Sequence, residues 1–129
     1  MNVAPEPFTI SHRHLRITQA LDPVELRIEG ELDLAALPAL AWALAVTTDD
    51  GDIGADIELI GLDFIDVGCL RALVAAAARL TGHQVLTLRH APPRLRRLLV
   101  VTHWQAAPHL RLDTAAVLGD DDDQPWKQF

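Results

Sequence analysis

The spacing of apolar residues changes several times along this chain, and each change marks the edge of an element. Residues 13 to 19 and 24 to 32 have the spacing of two strands, and Leu21-Asp22-Pro23 between them supplies turn residues, which predicts a hairpin. Leu34, Leu37, Leu40, Ala41 and Leu44 then fall on one helical face. Pro38 has no amide hydrogen to donate and belongs in a first turn, so this helix is expected to begin near Ala36 or Leu37. An alanine cap at Ala36 forgoes about 1 kcal/mol relative to a hydroxyl or carboxylate cap, which predicts a slightly frayed start. The segment Thr47 to Ala55, with Asp49-Asp50-Gly51-Asp52, reads as a polar loop.

The sharpest switch falls at Asp66. The run from Ile57 to Ile65 is apolar, β-branched and aromatic, as a strand requires, whereas Leu70, Leu73, Val74, Ala77 and Leu80 follow the three-and-four pattern of a helix. Gly82 suits the left-handed residue that closes such a helix. A strand at Gln84 to Arg89, a helix from about Pro92 to Val101 and a short strand around Leu110 to Leu112 complete the order ββαβαβαβ. That alternation predicts a single α/β domain in which helices pack on a mixed sheet. The domain is expected to span residues 8–117, with 1–7 as an N-terminal arm and 118–129 as an acidic, mobile tail that lacks periodicity.

Composition narrows the functional classes. Half of the 129 residues are hydrophobic and 22% are charged, which describes a globular chain, and no apolar run approaches the about 18 residues of a membrane span. The single cysteine excludes an internal disulfide and fits a cytoplasmic protein, and residues 1–7, with no basic region followed by an apolar segment, give no expectation of a secretory signal. Of the net charge of −7, the tail with Asp120 to Asp123 and Lys127 holds −3 and the body −4. A mildly acidic body argues against a nucleic-acid backbone as ligand. The one basic cluster, Arg94, Arg96 and Arg97, reads as the solvated face of a short helix.

No constellation for catalysis stands out. Asp33 and Asp66 could in principle do acid/base work or hold a metal, but no third ligand lies at a useful spacing, and an aspartate before a helix most often caps it. Cys69 lacks a neighbouring base, so a small structural cysteine is favoured over a nucleophile or redox sensor. His12 and His14 have the only metal-like spacing, two residues apart on the first strand, and no carboxylate or cysteine follows them closely. Trp42 and Trp104 read as core or interface residues, and Trp126 and Phe129 as exposed tail residues. The phosphate-binding pattern of nucleotide-hydrolysing enzymes is absent. The chain is therefore expected to be non-catalytic, without cofactor or metal.

Gly30-Glu31-Leu32-Asp33 before an Ala/Leu/Pro helix start, Leu62-Asp63-Phe64-Ile65-Asp66 leading into Leu70-Arg71-Ala72-Leu73, and Pro92-Pro93-Arg94-Leu95-Arg96-Arg97-Leu98-Leu99 together resemble the STAS domain of bacterial anti-sigma-factor antagonists. The resemblance runs from about residue 8 to residue 115. It implies a partner-switching module of transcription regulation: the unmodified domain binds an anti-sigma factor or serine kinase of ATPase fold, and phosphorylation of a hydroxyl directly after the strand-end aspartate breaks the complex.

That position here is Val67, followed by Gly68 and Cys69. A valine has no oxygen to accept a phosphoryl group, so the release switch is absent at this residue. The resemblance places the partner-binding surface at Asp33, Asp66, Val67, Gly68, Cys69 and Arg71, with Asp33 and Asp66 near one patch. A sensory or scaffold domain on the same fold, holding a small apolar ligand or another protein, is the alternative. The apolar second helix and Trp42 also leave room for a homodimer.

Overall fold

The computed structural model describes residues 7–21, 23–48 and 54–113. Strands β1 (Thr9–His12), β2 (Leu15–Leu21) and β3 (Val24–Leu32) come first, followed by a 3-10 turn at Leu34–Ala36 and helix α1 (Leu37–Thr47). Strands β4 (Ala55–Glu58) and β5 (Leu62–Ile65) then lead into helix α2 (Val67–Ala78), and β6 (Leu86–Arg89), helix α3 (Pro93–Thr102), a 3-10 turn at Trp104–Ala106 and β7 (Leu110–Asp113) end the domain. The sheet runs β1-β2-β3-β4-β6-β7, with β5 paired to β3. Pairing is antiparallel within β1-β2-β3 and parallel from β3 onward, so the expected α/β fold with a mixed sheet is what forms.

The predicted hairpin is β2 and β3, paired from Leu15↔Gly30 to Leu21↔Val24. The additional strand β1 was not foreseen. A tight turn at Arg13 (φ 54) separates it from β2, so His12 and His14 do not share a strand face, and both side chains are exposed. The single strand expected over 57–65 is two strands in one lane, interrupted at Leu59–Gly61. The interruption faces an irregularity in β3, where Gly30 (φ 98) accompanies a register shift and its amide donates to the Gly61 carbonyl at 2.9 Å. A Cβ at Gly30 would collide with the His14 carbonyl, so only glycine fits there.

Alternation assigns the faces of the sheet. Leu15 and Ile17 of β2, Leu26, Ile28 and Leu32 of β3, Ile57 of β4 and Leu86 and Leu88 of β6 are buried beneath the helices. The other face is polar, with Arg89 bridging Asp56 at 3.8 Å and Asp113 at 3.6 Å. The parallel lanes advance in one direction, β3 to β4 to β6 to β7, and crossovers of one hand put every connecting helix on the same side.

Helix α1 begins at Leu37 with Pro38 in its first turn, as predicted, but its buried residues are Leu40, Ala43, Leu44 and Thr47, while Leu34 and Ala41 are exposed. Pro38 fixes the helix start after Leu34, which therefore belongs to the 3-10 turn and lies off the helical face. Thr47, expected in the loop, is helical and accepts a hydrogen bond from Gln19 Nε2 at 2.9 Å inside the core. Helix α2 buries Cys69, Leu70, Leu73, Ala76 and Ala77, close to the predicted stripe. It ends at Ala78, and Gly82 (φ 61) takes the left-handed conformation in the turn that follows. The acidic loop at 49–53, the arm before residue 7 and the tail with Trp126 and Phe129 lie outside the described residues.

Candidate functional site

Two strands, β3 and β5, end side by side, and each hands over to helical backbone through an aspartate. Asp66 has an extended backbone (φ −96, ψ 171), and its Oδ1 accepts the Cys69 amide at 2.9 Å, capping α2. Asp33, equally extended (φ −99, ψ −175), accepts the Ala36 amide at 3.1 Å and caps the 3-10 turn. Ala36 itself makes no side-chain cap, as expected, and the 3-10 turn capped by Asp33 leads directly into α1.

The two junctions are tied to each other. The Asp66 amide donates to the Leu32 carbonyl at 3.0 Å, and the Cys69 thiol donates to the Asp33 carbonyl at 3.3 Å. Cys69 is 0% exposed. Burial first, then the charge and hydrogen bond of Asp66, then the charge of Asp33 push its thiol from 9.0 up to about 12. It is therefore a protonated donor near neutral pH, which matches its bridging role and opposes a nucleophilic one. Of the six expected surface residues, Cys69 thus supports the surface from beneath.

The other five reach or approach solvent. Asp33 and Arg71 are exposed, Asp66 and Gly68 half-buried, and Val67 is 42% exposed at the first position of α2. A Cβ at Gly68 would meet only Asp66 Oδ1 at 3.5 Å, so crowding does not impose the glycine. Leu34, 73% exposed beside Asp33, adds a second apolar side chain that sequence reasoning had assigned to the core. Pro38 was the signal that could have placed it outside.

Phe64, next to the junction on β5, lies under the Arg94 guanidinium of α3 at 5.1 Å from ring centre. Trp42 is half-exposed and meets Phe8 edge-on at 4.9 Å, and Trp104 packs partly buried against the core. A cavity of about 60 Å³ beside Asp33, between the β1–β2 turn and the first 3-10 turn, is far smaller than the roughly 300–1,000 Å³ of typical small-molecule sites. Among the described residues no group of three or more His, Cys, Asp or Glu is placed to hold a metal. Nor is any described helix long and apolar enough to cross a membrane.

A helix-covered mixed sheet whose strand-end aspartate caps the next helix at a solvent-facing turn is the arrangement of a STAS domain. A family model described as "Mlab, STAS domain" matches residues 15–118, and the chain belongs to the STAS domain family. Its fold is that of anti-sigma-factor antagonists. It is similar to an anti-sigma factor antagonist from Mycobacterium paratuberculosis, with 19% identity over 91% of this chain and 94% of that one and a TM-score of 0.61. It is also similar to the anti-sigma factor antagonist SpoIIAA in its unphosphorylated form, with 16% identity over 81% and 86% of the two chains and a TM-score of 0.54. At such identities the likeness is one of fold. No curated protein matches the chain.

Proposed function

We propose that this protein is a non-catalytic, cytoplasmic interaction module that binds an anti-sigma partner of ATPase fold and so regulates transcription, with Asp33, Leu34, Asp66, Val67, Gly68 and Arg71 forming the docking surface. The observation that supports this reading best is Val67, an exposed apolar side chain directly after a capping aspartate on an antagonist-like fold. The absent hydroxyl at residue 67 makes the module unresponsive to phosphorylation there. A phosphate at this turn would add roughly two negative charges beside Asp66 and Asp33. Without it, association is constitutive or is controlled by another route.

Calorimetric titration of a candidate anti-sigma protein with wild type, Val67→Ser and Val67→Asp tests the surface. Val67→Ser is expected to bind like wild type and become phosphorylatable, visible as added phosphate in the intact mass after incubation with kinase and ATP. Val67→Asp imitates the modified state and is expected to weaken binding by 10-fold or more, about 1.4 kcal/mol. Equal affinity of all three variants would remove this turn from the interface.

A second reading is favoured by the family description, which names Mlab and not an antagonist. On that reading the same surface serves a different protein partner. Capture of a protein other than an anti-sigma factor, released by Val67→Asp, would support it over the sigma-factor role.

A further inference from the structure

Helix α3 differs from the rest of the surface in charge and in exposure. Its ten residues include Arg94, Arg96 and Arg97 and no carboxylate. The ion pairs among the described residues use Arg27, Arg89 and His90, and none reaches these arginines. Arg96 Nε is buried without a hydrogen-bond acceptor among the described residues. One turn further on, Val100 is 58% and Val101 73% exposed. Pro93, Arg96, Arg97, Val100 and Val101 line an open groove of about 390 Å³. Basic at one end and apolar at the other, it calls for a segment that is acidic and then aromatic.

The chain itself contains such a segment: Asp120 to Asp123, then Trp126 and Phe129. β7 is in register with β6, Arg89 opposite Asp113, and α3 starts at Pro93 just beyond Arg89. The polypeptide therefore leaves the sheet at the end where α3 begins. Six residues separate Asp113 from Asp120, seven steps along the chain. They can span up to roughly 23–25 Å, against roughly 15 Å for the whole of α3. We infer that residues 120–129 dock in cis on the outer face of α3, the aspartates against Arg96 and Arg97 and Trp126 over Val100 and Val101. Because Arg94 rests on Phe64, this strap lies beside the strand that enters the Asp66 junction.

Paramagnetic broadening in the full chain tests the strap. A nitroxide is attached at Gln128→Cys; the enclosed Cys69, with its raised thiol, does not compete for label, and intact mass verifies single labelling. The amide signals of Arg96, Arg97, Val100 and Val101 are expected to lose at least half their intensity relative to the reduced label. They should recover in about 1 M salt, where the screening length is about 3 Å. Arg97→Glu with Val101→Ser should also restore them. So should replacing all four tail aspartates by asparagine, which leaves the folded body unaltered. Intact α3 signals, broadening centred elsewhere, or broadening that survives these substitutions would overturn the inference. So would broadening seen only when labelled and isotope-enriched chains are mixed, since the occupant would then be a second copy.

Discussion

Among the regions that hold apolar side chains out in solvent, the strand-to-helix junction and helix α3 are built in opposite ways. At the strand-to-helix junction, Leu34 and Val67 stand on a framework of caps: Asp33 and Asp66 each accept a backbone amide, and Cys69 joins one turn to the other. On α3, Val100 and Val101 sit beyond arginines that have no carboxylate partner among the described residues. The first surface is acidic with its polar groups committed internally, which makes it a preformed template. The second is basic, with Arg96 and Arg97 in no ion pair among the described residues, which suits it to the acidic segment inferred above. Equal exposure therefore does not mean equal function.

The largest effect that separates the regions is stability. Leu70, 0% exposed, holds the junction to the core, so Leu70→Ala is expected to cost 2–5 kcal/mol in urea unfolding, roughly the range for a buried leucine. Val100→Ala, on the exposed face of α3, should stay within about 0.5 kcal/mol of wild type. Comparable losses would mean that α3 is as firmly built in as the junction.

Removing a carboxylate should act more weakly. Asp66→Ala deletes the α2 cap and is expected to cost about 1 kcal/mol and to speed hydrogen exchange at the Cys69 amide. Arg97→Ala should leave both quantities unchanged within about 0.5 kcal/mol. A neutral Asp66→Ala would show that the first turn of α2 is held by packing alone.

The last effect is invisible at neutral pH. Below pH 9 the Cys69 thiol is protonated in both folded and unfolded chains, and its contribution is complete. As pH rises from 9.0 toward about 12, the unfolded chain loses that proton first, so stability falls through this window. The chain has no tyrosine and one lysine, Lys127, which leaves few other groups to titrate there. Urea midpoints of wild type should therefore drop more steeply between pH 9 and 12 than those of Cys69→Ala. Parallel curves would remove the thiol from the bridge between the two turns.

Much of the fold was legible because its signals are local. The change of period at Asp66, the start of α1 set by Pro38 and the stripe from Leu70 to Leu80 each depend on residues within a few positions of one another. What escaped depended on distant partners. The break at Leu59–Gly61 answers the Gly30 irregularity one strand away, and β1 exists because it can pair with β2. Thr47 was read as loop because no local signal announces that Gln19, 28 positions earlier, needs a buried partner.

The candidate site divides along the same line. Sequence alone determined that two aspartates precede helical segments and that residue 67 has no hydroxyl, since both are matters of covalent identity and short-range spacing. Only the tertiary structure decided that Leu34 joins Val67 at the surface while Cys69 withdraws beneath it, and that the thiol ties Asp33 to the first turn of α2. Burial and long-range hydrogen bonds arise from the meeting of segments far apart in the chain, and no local pattern encodes which atoms of those segments will touch.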